Sequence, residues 1–307
     1  MLHRPGADPW ARRQPLAGDA SNRRYTRTWD DEERSFILVE YPAETRPDLA
    51  RDLQVADWLR GLGVRVPAVL ATDLAAGWMV IEDLGTDDAE AVLRQTPESN
   101  RLELALGALG PLKVLAAQPI SSLVSWNPPL DRWRMRWELA GFELWFVNDY
   151  RRAVPSAELD RWLDRLAETV ARHPRRICHR DYHLNNLFPL ASGDMAVIDA
   201  QDVLVGPDTY DAVSLIEERA LPQLLQRADA QRLRAAWAAR TAAQAGWPDR
   251  WRLVRIQRSL KVLGTFARLT AAGRAGYGSW MSCLAARLAA DAADLELPSE
   301  LVDLLLD

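Results

Sequence analysis

The segment His179-Arg180-Asp181-Tyr182-His183-Leu184-Asn185-Asn186 sets a carboxylate five residues ahead of an amide. Thirteen positions after Asn186, the apolar run Met195-Ala196-Val197-Ile198 ends in a second carboxylate, Asp199. Three side chains of these types at this spacing suit the transfer of a phosphoryl group to a hydroxyl. Asp181 would orient the acceptor hydroxyl and take its proton. The amide oxygen of Asn186 and the carboxylate of Asp199 are hard oxygen ligands of the kind Mg²⁺ takes while it bridges nucleotide phosphates. Positioning and charge neutralisation supply most of the effect in such chemistry. The pattern H-R-D-x-x-x-x-N is short enough to arise by chance. Its setting gives it weight, with one strand before it and another, ending in an aspartate, behind it.

The surrounding elements must bring these groups together. Residues 23–29 and 35–41 are strand-like runs joined by the acidic turn Asp30-Asp31-Glu32-Glu33. Residues 47–62 read as a helix, with Leu49, Leu53, Ala56 and Leu59 on one face and Gly61 and Gly63 stopping it. Residues 66–70 and 78–82 are further strand candidates. Beyond Asp83-Leu84-Gly85 the chain turns helical, with helices expected over 98–117, 131–150, 156–173, 208–219, 229–245, 248–272 and 279–295. A β-rich island, residues 177–199, interrupts them and carries the polar groups. The expected architecture is α+β in two lobes, residues 1–84 and 85–307, with the site in the cleft between them.

Composition narrows the partners. The 307 residues are 48% apolar and 26% charged, as in a globular protein, with a net charge of −5 that gives no nucleic-acid footprint. No apolar run approaches the roughly 18 residues of a membrane span, and the N-terminus lacks the apolar core of a secretion signal. The two cysteines, Cys178 and Cys283, build no disulfide framework. The expectation is a cytoplasmic protein acting on a small molecule, with no nucleic acid, membrane or protein partner implied. There are only two lysines, Lys113 and Lys261, so any role that needs a lysine must find it at one of two places.

The block Val197-Ile198-Asp199-Ala200-Gln201-Asp202, with Gly206-Pro207-Asp208-Thr209-Tyr210-Asp211 behind it, resembles the aminoglycoside phosphotransferase and choline kinase superfamily. That resemblance implies a protein-kinase-like fold, with a small β-rich N-lobe and a larger, mostly helical C-lobe. It also implies structural roles for His179 and for Asp211, which would brace the catalytic loop. Only eleven positions separate Asp199 from Tyr210 and no Ala-Pro-Glu triplet follows, which leaves no room for the long loop that kinases use on protein substrates. Four stretches, 19–25, 179–183, 199–202 and 257–269, are further similar to the N-acetylmuramate/N-acetylglucosamine kinases of bacterial cell-wall recycling. This similarity implies ATP- and Mg²⁺-dependent phosphorylation of an amino sugar at its anomeric hydroxyl. Ala200 departs from it, since that family usually has Phe there, and the Trp-rich block 126–145 matches only loosely.

Candidates for the nucleotide side are Ser21 and Asn22, in a small-residue loop whose backbone N–H groups could approach phosphate, and Glu82 and Leu84, at the end of a strand that resembles a hinge for adenine. Candidates for the acceptor side are His183, Glu138, Asp202 and Lys261, with Trp126, Trp133, Trp137, Trp145, Trp247, Trp251, Tyr277 and Trp280 available to stack on a sugar face. Most of these aromatics are expected in the core, Trp133 and Trp137 among them. Kinases place a phosphate-binding lysine on the third strand, and residues 35–41 contain none. Arg23 or Arg24 can replace it, and neighbours on a strand point to opposite faces. Arg24 is the choice here, because Arg23 shares its face with Tyr25 and Arg27. Two other readings stay open: a phosphotransferase for an aminoglycoside or choline-like alcohol, and a nucleotide-binding module without turnover. The basic stretch 255–274 favours a neutral or anionic acceptor over a cationic one.

Overall fold

Alternating apolar residues and polar turns fold the first part of the chain into an antiparallel sheet. A computed structural model describes residues 12–16, 23–124, 127–240, 246–274 and 276–306. The strands are β1 (Arg13–Leu16), β2 (Arg24–Trp29), β3 (Ser35–Glu40), β4 (Val69–Asp73) and β5 (Trp78–Glu82), in the order β1-β2-β3-β5-β4. Helix α1 (Asp48–Gly61) connects β3 to β4. Tyr25 pairs with Val39, Arg27 with Ile37, and Ile37 with Ile81, so these residues share one face of the sheet. Leu49 and Leu53 of α1 close a small core over that face with Ile37, Val39 and Tyr41. The fourth strand begins at Val69 rather than at 66, since Pro67 has no N–H to give a ladder.

The remainder is helical. Helices α2 (Ala89–Gln95), α3 (Glu98–Gly107) and α4 (Leu109–Ala117) lead to α5 (Arg132–Gly141), which runs on as a π-helical segment, Phe142–Tyr150. After α6 (Ala157–Ala171) come four short strands, β6 (Arg175–Cys178), β7 (Leu187–Pro189), β8 (Met195–Val197) and β9 (Leu204–Pro207). Then follow α7 (Tyr210–Glu217), α8 (Leu221–Leu224), α9 (Arg227–Arg240), the long α10 (Trp247–Ala271), α11 (Tyr277–Ala290), α12 (Ala292–Leu295) and α13 (Ser299–Leu306). The helix expected over 98–117 is two helices that meet at Ala108, and strand β1, α2 and α13 were not anticipated from pattern. Asp131 and Ser156 cap α5 and α6 by accepting from the Arg134 and Leu159 amides.

Two two-stranded ribbons, β6–β9 and β7–β8, frame the segment 179–186. Strand β6 ends one residue before His179 and β7 begins one residue after Asn186, so residues 179–186 hang between fixed ends. Helix α10 packs along α5 and the π segment at the centre of this lobe. Gly264 makes the crossing possible, since a Cβ there would lie 2.7 Å from the backbone of Gly141 and Phe142. Trp133 and Trp137 are not in the core: both face solvent on the outside of α5, 75% and 72% exposed. Their spacing of four marks a shared helical face, which here is the outer one.

Candidate active site

The segment 179–186, the candidate catalytic loop, is held by Asp211, near the start of α7. Its carboxylate accepts from the backbone amides of His179 at 2.6 Å and Arg180 at 2.9 Å. The buried His179 ring reaches the Ile198 carbonyl through Nε2 at 3.0 Å, which ties the segment to the strand before Asp199. Arg180 has φ +80° and Asp199 φ +62°, a left-handed conformation that costs a non-glycine residue about 1–2 kcal/mol and concentrates at functional sites. These two turns aim Asp181 and Asp199 away from their strands.

Asp181 lies among cations. Burial alone would raise its pKa, but the charges of Lys261, Arg180 and Arg258 outweigh burial and bring it down to about 2. Its carboxylate is therefore ionised throughout the physiological range. Arg258 is fully buried on α10. It pairs with Glu218 at 2.6 Å, bonds Ser214 Oγ at 2.8 Å and lies 4.0 Å over the Tyr210 ring. Its remaining nitrogen donates to the Arg180 carbonyl at 3.3 Å, the peptide just before Asp181. The Arg180 side chain runs between Glu138 at 3.5 Å and Asp202 at 3.6 Å, and Gln257 donates to the second Glu138 oxygen at 3.0 Å. Of the acceptor-side candidates, Glu138, Asp202, His183 and Lys261 thus converge on the catalytic segment, the first two through Arg180. His183 is neutral, because burial and then the charge of Arg219 push its pKa well down. Its Nδ1 has no protein partner among the described residues.

Asn186 donates Nδ2 to the Asp181 carbonyl at 2.8 Å, which turns its amide oxygen the other way. Asp199 accepts from Gln201 and Arg23 on Oδ1 alone. A free amide oxygen and a free carboxylate oxygen are the hard donor set that Mg²⁺ takes, with phosphate and water completing the shell. No group of three or more His, Cys, Asp or Glu able to hold a metal occurs among the described residues.

The structure reverses the order of the two arginines. Arg24 is 76% exposed on the outer face of the sheet, 3.7 Å from Glu40. Arg23 faces the cleft, donating to Asp52 of α1 at 3.0 Å and to Asp199 at 3.2 Å. Tyr41 also donates to Asp52, at 2.7 Å. Burial works against the charge of Arg23, but Tyr25, Tyr41 and Asp52 raise its pKa overall. The face shared with Tyr25 and Arg27, which counted against Arg23, is the one that lines the cleft. Arg27 shows the same, holding Asp83 at 2.5 Å and the Gly85 carbonyl at 2.9 Å. Asp52 and Tyr41 were missed, although a carboxylate beside the Leu49–Leu53 face of a helix was a visible signal.

Ser21, Asn22 and Trp126 lie outside the described residues. Glu82 turns its side chain to the outer face, where it pairs with Arg65 at 2.5 Å. A hollow of about 940 Å³ on that outer side is lined by Phe36, Arg65, Glu82 and Met195, and by none of Asp181, Asn186 or Asp199.

A five-stranded sheet carrying one helix, a helical lobe below it and two ribbons presenting Asp181, Asn186 and Asp199 at the junction define a two-lobed kinase. The phosphotransferase enzyme family model matches residues 12–252, and the chain belongs to that family. It is 33% identical to an N-acetylmuramate/N-acetylglucosamine kinase of Pseudomonas aeruginosa over 275 residues, 86% of this chain and 78% of the relative. It is 32% identical to a kinase of the same name from Neisseria meningitidis, over 82% of this chain and 77% of that one. The choline kinase LicA of Streptococcus pneumoniae shares the fold at a TM-score of 0.60 and 14% identity, over 90% of this chain and 94% of that one. No helix among the described residues is long and apolar enough to cross a membrane.

Proposed function

We propose that this kinase transfers the γ-phosphoryl group of ATP to the anomeric hydroxyl of a free N-acetyl amino sugar, N-acetylglucosamine or N-acetylmuramate. The observation that carries the reading is an ionised Asp181 backed by Lys261, in one cleft with Asn186 and Asp199. Support for the sugar comes from the four similar stretches and from the names of the relatives. Asp181 orients the sugar hydroxyl and receives its proton as the oxygen bonds to the γ-phosphorus and the bond to the β-phosphate bridging oxygen breaks, releasing ADP. His183 Nδ1 is positioned to donate to a neighbouring sugar oxygen. Asn186 and Asp199 would hold Mg²⁺, which when bound neutralises charge on the phosphates. The test is a coupled ADP-release assay with each sugar, followed by phosphorus–proton NMR of the product. Phosphate on C1 is expected; phosphate on C6, or no product from either sugar, would refute the reading.

Arg23 is proposed as the cation that stands in for the third-strand lysine, with Asp52 as its helix partner. A guanidinium can hold phosphate oxygens bidentately, and a charge-assisted contact contributes about 1.5–3 kcal/mol. Arg23→Ala should lower kcat/KM for ATP by about 10- to 100-fold, since each tenfold is about 1.4 kcal/mol. Arg24→Ala should be nearly silent, because an exposed pair such as Arg24–Glu40 contributes about 0–1 kcal/mol. The opposite ranking in steady-state kinetics would return the role to Arg24.

A further inference from the structure

The acids of the acceptor side are almost fully committed. Glu217 holds Arg234 at 2.7 Å, Arg255 at 3.4 Å and the Trp251 indole N–H at 2.8 Å. Glu218 is taken by Arg258, while Glu138 and Asp202 are taken by Arg180. Two cations are left over. The Lys261 ammonium forms no ion pair within 4.0 Å with a described residue, and acts on Asp181 from a distance. The half-buried Arg219 guanidinium makes neither a hydrogen bond nor an ion pair with any described residue.

Arg219 is also held in an unusual way. It occupies the turn between α7 and α8 with φ +51°, a conformation that glycine adopts freely and an arginine adopts at a cost. Its charge bears on His183, two residues from Asp181. It lines a small recess with Val262, which follows Lys261 on α10, and with Trp280, whose indole offers an apolar face. Arg219 follows Glu218, whose partner Arg258 donates to the Arg180 carbonyl just before Asp181. A strained, charged side chain there, with no ion pair among the described residues, marks a place for a ligand anion.

We propose that Arg219 anchors a carboxylate carried by the acceptor, so that this chain prefers N-acetylmuramate, which bears one, to the neutral N-acetylglucosamine. The proposal rests on the sugar-kinase reading above and names the residue that sets specificity within it. Lys261, on α10, adds a second positive charge on the Asp181 side. A cationic acceptor is disfavoured by both groups.

The test compares kcat/KM for the two sugars in the parent, Arg219→Gly and Arg219→Lys. Glycine removes the guanidinium while accepting the positive φ, and lysine keeps a charge without the fork. The parent should favour N-acetylmuramate. Arg219→Gly should lose about 10- to 100-fold on N-acetylmuramate, chiefly in KM, and stay within about twofold on N-acetylglucosamine, as expected for one charged contact. Arg219→Lys should recover part of the loss. Equal losses on both sugars, or no loss on either, would overturn the proposal. Should the glycine variant not fold, the ionic-strength dependence of the parent decides. Between about 0.01 M and about 1 M salt the screening length falls from about 30 Å to about 3 Å, so the preference for N-acetylmuramate should shrink. A constant ratio overturns the proposal. A parent that turns over neither sugar removes the sugar-kinase reading itself, an outcome distinct from losing only the preference.

Discussion

Asp181→Asn is expected to lower kcat by about 10²- to 10⁴-fold, the range for losing a general base, while Mg·ATP binds with near-parent affinity. The substitution keeps the shape of the side chain. It removes the charge that Lys261, Arg180 and Arg258 surround and the oxygen proposed to receive the proton. Nucleotide binding survives because the groups proposed to hold it, Arg23, Asn186 and Asp199, have other partners. Single-turnover kinetics beside a nucleotide titration separate the two effects, and near-parent turnover would end the assignment of Asp181.

The pH dependence follows from the same surroundings. A carboxyl brought down to about 2 is ionised at any pH at which the protein is assayed, so Asp181 should not produce an acid limb in kcat/KM above about pH 4. The linkage to stability has the sign of a depressed carboxylate: its contribution is present above the unfolded value, near 3.9, and is lost as pH falls towards 2. So weak a base cannot draw the proton from the hydroxyl early. The role proposed for it is therefore orientation and late proton acceptance, as suits a loose phosphoryl-transfer transition state.

The placement of Asp181, Asn186 and Asp199 was legible because they lie on one short stretch of chain, framed by β6 and β8, where local spacing is nearly the whole geometry. The two-lobed fold was legible for a similar reason, in the change from strand to helix periodicity near residue 85. The cation opposite Asp199 was not. Arg23 meets Asp52 across 29 residues, and which face of β2 lines the cleft depends on where α1 lands, not on β2 alone. The same limit hid the environment of Arg258, which looks like a surface charge on α10 until Glu218, from a turn 40 residues earlier, is packed against it. Trp133 and Trp137 failed in the other direction: periodicity showed that they share a face but could not say which face is covered.

Asp199→Ala is expected to lower turnover by about 10³-fold or more and to weaken Mg·ATP binding. A metal ion on the phosphates contributes several kcal/mol of charge stabilisation, and about 4 kcal/mol corresponds to about 10³-fold in rate. Asp199 is the only charged ligand in the proposed pair, so Asn186→Ala should be milder, a neutral amide compensating less of the ion's charge. Alanine also brings a complication, because Asp199 sits at φ +62° and alanine tolerates that conformation poorly. Asp199→Asn separates the two effects. Asparagine adopts the left-handed region readily and keeps an oxygen in place while losing the charge. If charge on the metal dominates, Asp199→Asn should approach the alanine variant in turnover while matching the parent in thermal stability. If backbone strain dominates, Asp199→Asn should stay close to the parent in both. Asp199 also pairs with Arg23, so replacing it removes one negative charge from beside that guanidinium, and metal-free ADP should bind no more weakly than to the parent. Titration calorimetry with and without Mg²⁺ reads all three variants, and parent-like Mg·ATP affinity in both Asp199 variants would remove Asp199 from the metal site.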